Sequence, residues 1–187
     1  MAVASYTGQL LVATPVLRDP NFARSVVLIL DHDADGALGV VVNRPTELPV
    51  TSVLAPLNEL VCQPDVLFQG GPVATDSALG LAEVPDGVED EPVGWRRLHG
   101  RLGLVDLDTP PELLAGGLRG LRVFAGYSGW SPGQLEIEVK DGGWYVVDAE
   151  PGDAFSLEPD GLWRRVLRRQ RDELALVATF PDDPAMN

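Results

Sequence analysis

Polar residues at the ends of short apolar runs are where this chain has material for chemistry. Asn43-Arg44-Pro45 closes one such run, and because proline disfavours helix in the residue before it, Arg44 is held extended with its guanidinium beside the Asn43 amide. That pair suits a carboxylate or a phosphate, or equally an internal ion pair to Glu136 or Glu138. Phe68-Gln69-Gly70-Gly71-Pro72 ends another run with two residues that lack Cβ, so a ligand or a second stretch of chain can come close to bare backbone. Successive N–H groups there can cup an anion, although Pro72 supplies no donor, and close packing is the favoured reading. Gly126-Tyr127-Ser128-Gly129-Trp130 then offers two aromatic faces with polar tips, Tyr127 and Trp130, ahead of a helix predicted over residues 131–139 that carries Gln134 and Glu138. Core anchoring is the plain reading of those aromatics. Ser128 is a poor nucleophile candidate: the elbow motif needs glycine where Trp130 stands, and the two histidines, His32 and His99, are distant in sequence.

Other motifs are weaker. Asp31-x-Asp33-x-Asp35-Gly36 copies the opening of a calcium loop, but its twelfth position, which needs a bidentate acid, is Val42. An acidic hairpin turn with His32 exposed in it is the better reading, and no metal is expected. Cys62 has no CxxC partner and no basic neighbour, which makes it buried filler rather than a reactive thiol. Arg164, Arg165, Arg168, Arg169 and Arg171 follow Trp163 on a predicted amphipathic helix. On an acidic body they read as internal counter-charge or a dimer contact.

These residues need a frame, and the composition supplies one. Of 187 residues, 45% are hydrophobic and 22% charged, an ordinary globular balance. One domain over residues 1–180 is expected, followed by a frayed tail over 181–187. Fourteen basic against 28 acidic residues give a net charge of −14, which repels phosphate backbones and disfavours direct nucleic-acid binding. One cysteine and two histidines leave no disulfide and no Cys/His zinc cage, and no cofactor is expected. No apolar run reaches the roughly 18 residues of a membrane span, and no basic leader precedes Arg18, so a cytoplasmic location is expected.

Short β-branched runs predict strands at 10–12, 26–30, 38–42, 66–68, 79–84, 102–105, 121–127 and 144–147, the second and third joined as a hairpin. Helices are predicted at 51–57, 111–118, 131–139 and 159–177. The third carries an alternating pattern that would also suit a strand, but Ser131, Pro132 and Gln134 form a helix start and Asp141-Gly142-Gly143 a stop. The acidic stretch 83–92 reads as a solvated loop. Strands outnumber helices without alternating with them, so the class is α+β, a mixed sheet flanked by helices.

Taken in order, Gly8-x-Leu10-Leu11-x-Ala13-x-Pro15, Asp19-x-x-Phe22-x-x-Ser25-Val26-Val27, His32, Gly36-Ala37-x-Gly39 through Asn43-Arg44-Pro45, Gly70-Gly71-Pro72-Val73, Gly126 through Glu138 and Trp144 resemble the YqgE/AlgH family of small bacterial proteins. The resemblance spans roughly residues 8–170. It implies a single compact α+β domain with a partly barrel-like sheet, supports helix over 131–139, and implies no established reaction. Its association with transcriptional regulation sits against this chain's charge and lack of a helix-turn-helix signature.

Among the residues that carry the resemblance, polar ones sit at element ends beside glycines and aromatics. Asn43, Arg44, Gly70, Gly71, Pro72, Tyr127, Trp130, Gln134 and Glu138 are therefore expected to line one pocket, with Arg44 as anchor and Tyr127 and Trp130 as walls. The function expected is that of a non-enzymatic regulatory or binding protein for a small molecule or a protein partner. The alternative is a hydrolase using the same pocket with Glu138 or His32 as base and N–H groups near Gly70 stabilising charge.

Overall fold

The apolar runs become strands, and the central ones are covered on both faces. The computed structural model describes residues 4–182, so of the tail expected over 181–187 only Pro181 and Asp182 lie among the described residues. Ten strands are formed there: β1 (Gln9–Ala13), β2 (Val26–Asp33), β3 (Gly36–Val41), β4 (Pro45–Pro49), β5 (Val66–Gln69), β6 (Val73–Glu83), β7 (Trp95–His99), β8 (Leu102–Val105), β9 (Arg119–Trp130) and β10 (Trp144–Asp148). They make one curled sheet in the order β10-β1-β2-β3-β9-β6-β8-β7, with β5 parallel to β9 and β4 antiparallel to β5. Short helices α1 (Thr51–Leu54), α2 (Pro111–Leu114), α3 (Gln134–Lys140), α4 (Leu162–Arg168) and α5 (Leu174–Val177) flank it, giving a single α+β domain.

Alternation along β1 shows how the core is divided. Leu10 and Val12 join a cluster with Phe68, Phe124 and the α4 residues Trp163, Val166 and Leu167, while Leu11 and Ala13 point the other way, to Trp130, Leu135 and Trp144. A third cluster around Val50, Leu57, Trp95, Leu121 and Val123 fills the far end of the sheet. A strand buried on both faces has no polar side, which is why residues 26–30 read as an unbroken apolar run. Each fully covered Leu or Val contributes about 1.5–3 kcal/mol of transfer free energy.

The β2–β3 hairpin closes on the acidic turn as expected, with Asp33 Oδ1 accepting the Asp35 N–H at 2.7 Å. Two edge strands went unread. β4 is bracketed by Pro45 and Pro49 and pairs only with β5, and β7 carries Arg96 and Arg97 at the sheet's end. Both compositions belong to edges, where proline and charge are tolerated.

Helices are shorter than predicted, each for a local reason. The 51–57 segment stops at Leu54 and continues as a 3-10 turn over Ala55–Leu57, where Pro56 has no N–H to give. The 111–118 segment ends at Leu114, two residues before Gly116-Gly117. Residues 131–139 are helical from Gln134, with Gly133 at φ +75° as the N-cap and Gln134 Oε1 accepting the Ser131 N–H at 3.0 Å. The 159–177 segment splits into a 3-10 turn, α4 and α5, because Asp172 Oδ1 takes the Leu174 N–H at 3.0 Å and starts a new turn. No helix among the described residues is long and apolar enough to cross a membrane.

Candidate functional site

Asn43 and Arg44 leave the end of β3 and grip the loop between β1 and β2. Arg44 Nη1 donates to the Pro20 and Asn21 carbonyls at 3.0 and 2.5 Å, and Nη2 to the Ala23 carbonyl at 2.8 Å. Asn43 Oδ1 accepts the Val26 N–H and its amide nitrogen donates to the Arg24 carbonyl, both at 2.9 Å. Five hydrogen bonds thus fix residues 20–26, and the Arg44 fork is spent on backbone rather than on Glu136, Glu138 or an outside anion. Burial pushes the Arg44 guanidinium below its usual value and nearby Asp19 opposes that. Arg44 is a positioning residue, and the expected role of anchor does not fit its geometry.

Gly70 and Gly71 lie where β9 leaves β5 and takes up β3. The Gly70 N–H donates to the Ala125 carbonyl at 2.9 Å, and its own carbonyl accepts from the Val41 N–H at 2.8 Å and the Ser128 hydroxyl at 3.1 Å. A Cβ on Gly70 would stand 2.4 Å from the Gly126 carbonyl oxygen, and one on Gly71 2.2 Å from that of Tyr127. Close packing is therefore what these glycines do, and buried Ser128 is occupied within it. Pro72 is exposed beyond the crossing.

Tyr127 and Trp130 stand three residues apart on β9 and face opposite sides of the sheet. Tyr127 packs against the cluster that holds Phe68, and Trp130 joins the cluster of Leu135 and Trp144. They do not wall one pocket together. Gln134, exposed, closes the start of α3. Of the nine expected residues, Trp130 and Glu138 remain close to each other, with Arg44 acting on that place from behind the loop it holds.

What that loop presents was not read from the sequence. Phe22 completes an aromatic trio with Trp130 and Trp144, its ring centroid 6.2 and 5.5 Å from theirs. Glu138 lies against the trio with Oε2 buried and without a hydrogen-bond partner, and the Trp144 indole nitrogen is likewise buried and unpartnered. Burial pushes the Glu138 carboxyl above the ordinary carboxylate value; the Trp130 indole N–H opposes this, and neighbouring Asp19 adds to the upward shift. The trio's surroundings thus hold an acceptor and a donor, each short of a partner.

A raised carboxyl has a definite consequence for stability. The folded chain holds the Glu138 proton more tightly than the unfolded chain does, so stability falls as pH rises through the folded value and stays lower above it. Glu138→Gln, uncharged at every pH, is expected to raise the midpoint of thermal unfolding at pH 7 and to flatten that decline, which a melting series across pH checks.

His32 is not an exposed turn residue. Its side chain is 1% exposed on β2, stacked on Tyr6 at 5.1 Å, and Nδ1 accepts the Tyr6 N–H at 2.9 Å. That places the ring proton on Nε2, which donates to Glu136 Oε1 at 2.7 Å. With both nitrogens engaged, His32 is not a free base. Glu136's own main-chain N–H and then the His32 ring hold its carboxyl below the ordinary value, so its stabilisation is complete above about pH 4.5 and lost as pH falls through the folded value. Glu136→Gln should cost about 1 kcal/mol near neutrality and make the acid limb of stability shallower, read by urea unfolding at several pH values.

Cys62 does have a basic neighbour. A parallel bridge sets Val61 beside Leu121, which brings Cys62 to buried Arg122; burial pushes the thiol up, and Arg122 acts against that. The arginines of α4 and its C-cap are largely internal counter-charge: Arg169 grips Asp153 at 2.7 Å and Arg164 meets Asp182 at 2.7 Å. No cluster of His, Cys, Asp and Glu among the described residues has the arrangement of a metal site. A separate cleft of about 190 Å³ opens between His99 and Arg101 on one side and the Glu150–Asp153 turn on the other. Three of its charged residues are paired within the protein, Arg101 to Asp86 and both Glu150 and Asp153 to Arg169.

The sequence model of an AlgH-like family, DUF179, matches residues 10–175. A UPF0301 protein of Streptomyces avermitilis is 62% identical over 187 residues, covering 99% of this chain and 97% of its own. A crystal structure of a protein from Corynebacterium diphtheriae superposes with a TM-score of 0.89 at 34% identity, covering 96% of this chain and 95% of that one. The solution structure of the AlgH protein from Pseudomonas aeruginosa gives a TM-score of 0.68 at 28% identity, with 97% of each chain covered.

Proposed function

The chain belongs to the AlgH-like family, and we propose that it is a cytoplasmic, non-catalytic binding protein whose site is formed by Asp19, Phe22, Trp130, Glu138 and Trp144. The observation that carries this is the unpartnered Glu138 Oε2, a buried carboxylate oxygen held against an aromatic wall beside a second acid. Leaving such an oxygen unsatisfied costs about 1–3 kcal/mol or more, a cost offset when a bound molecule supplies the donor. With Asp19 and Glu138 both acidic and Arg44 spent on the loop, the complementary ligand is a donor or a cation. An amine or a hydroxyl on a small molecule supplies the group Glu138 lacks, and an acceptor on the same molecule meets the Trp144 indole N–H. This inverts the anion preference expected for Arg44.

A hydrolase reading draws its support from the raised Glu138 carboxyl, which is the state a general acid or base requires. Against it, His32 and Ser128, the groups such an enzyme would recruit, are spent on internal hydrogen bonds. Binding without turnover asks least of these residues. The test is a panel of primary amines, amino sugars and polyols screened by thermal shift on the native protein and on Glu138→Gln. A ligand at 100 times its Kd should add about 2.7 kcal/mol to the native protein and nothing to the variant. If no member of the panel acts, or the variant responds equally, the reading fails.

A further inference from the structure

The loop gripped by Asn43 and Arg44 presents a second residue, away from the Trp130 wall. Arg24 takes the left-handed backbone region at φ +59°, unusual for a residue with a side chain, and its guanidinium lies over the Trp163 ring, 4.1 Å from the centroid. Arg164, the next residue along α4, places its own guanidinium 5.8 Å from the same ring. Two cations on one buried indole repel each other: burial and then Arg164 push the Arg24 guanidinium below its usual value, while Asp182 acts the other way. Arg24 Nη1 is buried and has no hydrogen-bond partner among the described residues.

In a chain with 28 acidic residues, the carboxylate that meets this pair among the described residues is Asp182. Asp182 Oδ1 lies 2.7 Å from Arg164 Nη2, and its side chain is 88% exposed, so the contact is made on one side only. The approach is lined by backbone: Arg24 donates to the Pro181 carbonyl and Arg164 to that of Ala178. A planar guanidinium fork with an unfilled nitrogen, a second cation beside it and an aromatic floor match the requirements of a small oxyanion.

We infer that Arg24 and Arg164 over Trp163 form a binding site for a small oxyanion, of which phosphate is the simplest, and that Asp182 occupies it as a replaceable internal anion. An incoming oxyanion takes the Arg24 Nη1 donor that Asp182 leaves unused and displaces the Asp182 carboxylate from Arg164. The segment 178–182 is then held by fewer contacts, so occupancy of the site and the position of that segment are linked.

Titration of the full chain with inorganic phosphate, followed by amide and arginine side-chain NMR at constant ionic strength set with chloride, tests this. Asp182→Asn should bind phosphate at least tenfold tighter than the native chain, with shifts centred on Arg24, Trp163 and Arg164. Adding Arg24→Gln to that variant should weaken binding at least tenfold, and so should Arg164→Gln, which lies on the half-exposed face of α4 and does not depend on the strained loop. Spectral dispersion verifies that each variant is folded. Unchanged affinity in Asp182→Asn overturns the inference, as does phosphate binding that survives both arginine substitutions.

Discussion

Arg122→Ala is expected to lose about 3–5 kcal/mol of stability, because it strips the donor from three carbonyls at about 1 kcal/mol or more each and leaves a cavity. Arg122 sits mid-strand on β9 with no exposed surface. Nη1 donates to the Ala154 and Ser156 carbonyls at 3.1 and 3.0 Å, Nη2 donates to the Gln63 carbonyl at 2.6 Å, and the guanidinium lies over Phe68 at 4.2 Å. No carboxylate pairs with it among the described residues, so its charge is supported by backbone dipoles and an aromatic face. Alanine would leave three carbonyls without donors and open a cavity beside Phe68. The segments they belong to, at 63 and at 154–156, are both tied to β9 by this one side chain. Arg122→Met separates the two costs, because it fills most of the volume and restores no hydrogen bond. Urea midpoints should fall in the order native, Met, Ala, and a loss under about 1 kcal/mol for alanine would show that the carbonyls find other donors.

Arg122 also marks where reading from sequence stops. An arginine between Leu121 and Val123 fits the alternation of a half-exposed strand, and nothing in its neighbours says that both faces are covered there. The same limit applies to Cys62, whose basic neighbour lies 60 positions away along the chain and adjacent only through the bridge of Val61 to Leu121. Legible features were those set by local rules: the apolar runs of β1, β2 and β3, the acidic hairpin turn, the helix start marked by Ser131 and Gln134, and the two glycines placed for close packing. The site was legible in part. Asn43, Arg44, Trp130 and Glu138 stand out as polar or aromatic residues at element ends, but Tyr127 and Trp130 differ by three positions on a strand, an odd number, and face apart. Asp19 and Phe22 belong to the blocks that suggested the family, yet they carried no role until Arg44 was seen to hold their loop. Arg24 gave no signal at all, since a left-handed arginine leaves no mark in composition or spacing.

Gly71→Ala should cost about 3 kcal/mol or more, well beyond the ordinary price of a methyl group in a core. The added Cβ would meet three atoms of β9 at once: the Tyr127 carbonyl oxygen at 2.2 Å, its carbon at 2.3 Å and the Ser128 hydroxyl at 2.5 Å. Two of the three are backbone, so no side-chain rotation relieves the contact, and β9 itself has to move. Movement there is costly because the Gly70 carbonyl is shared between the Val41 N–H of β3 and Ser128, the point at which the two parts of the sheet join. Gly142→Ala serves as the control. Gly142 has φ +84° but nothing within 4 Å of a Cβ, so its loss of about 1–2 kcal/mol reports backbone conformation alone. The excess for Gly71 over Gly142 then measures the crossing, and amide exchange at Val41 should accelerate in Gly71→Ala while remaining native in Gly142→Ala. Equal losses for the two would mean that β9 yields easily at Tyr127. In that case this crossing would be a hinge between β3 and β9, and Trp130, three residues beyond Tyr127 on β9, would be free to move relative to Glu138.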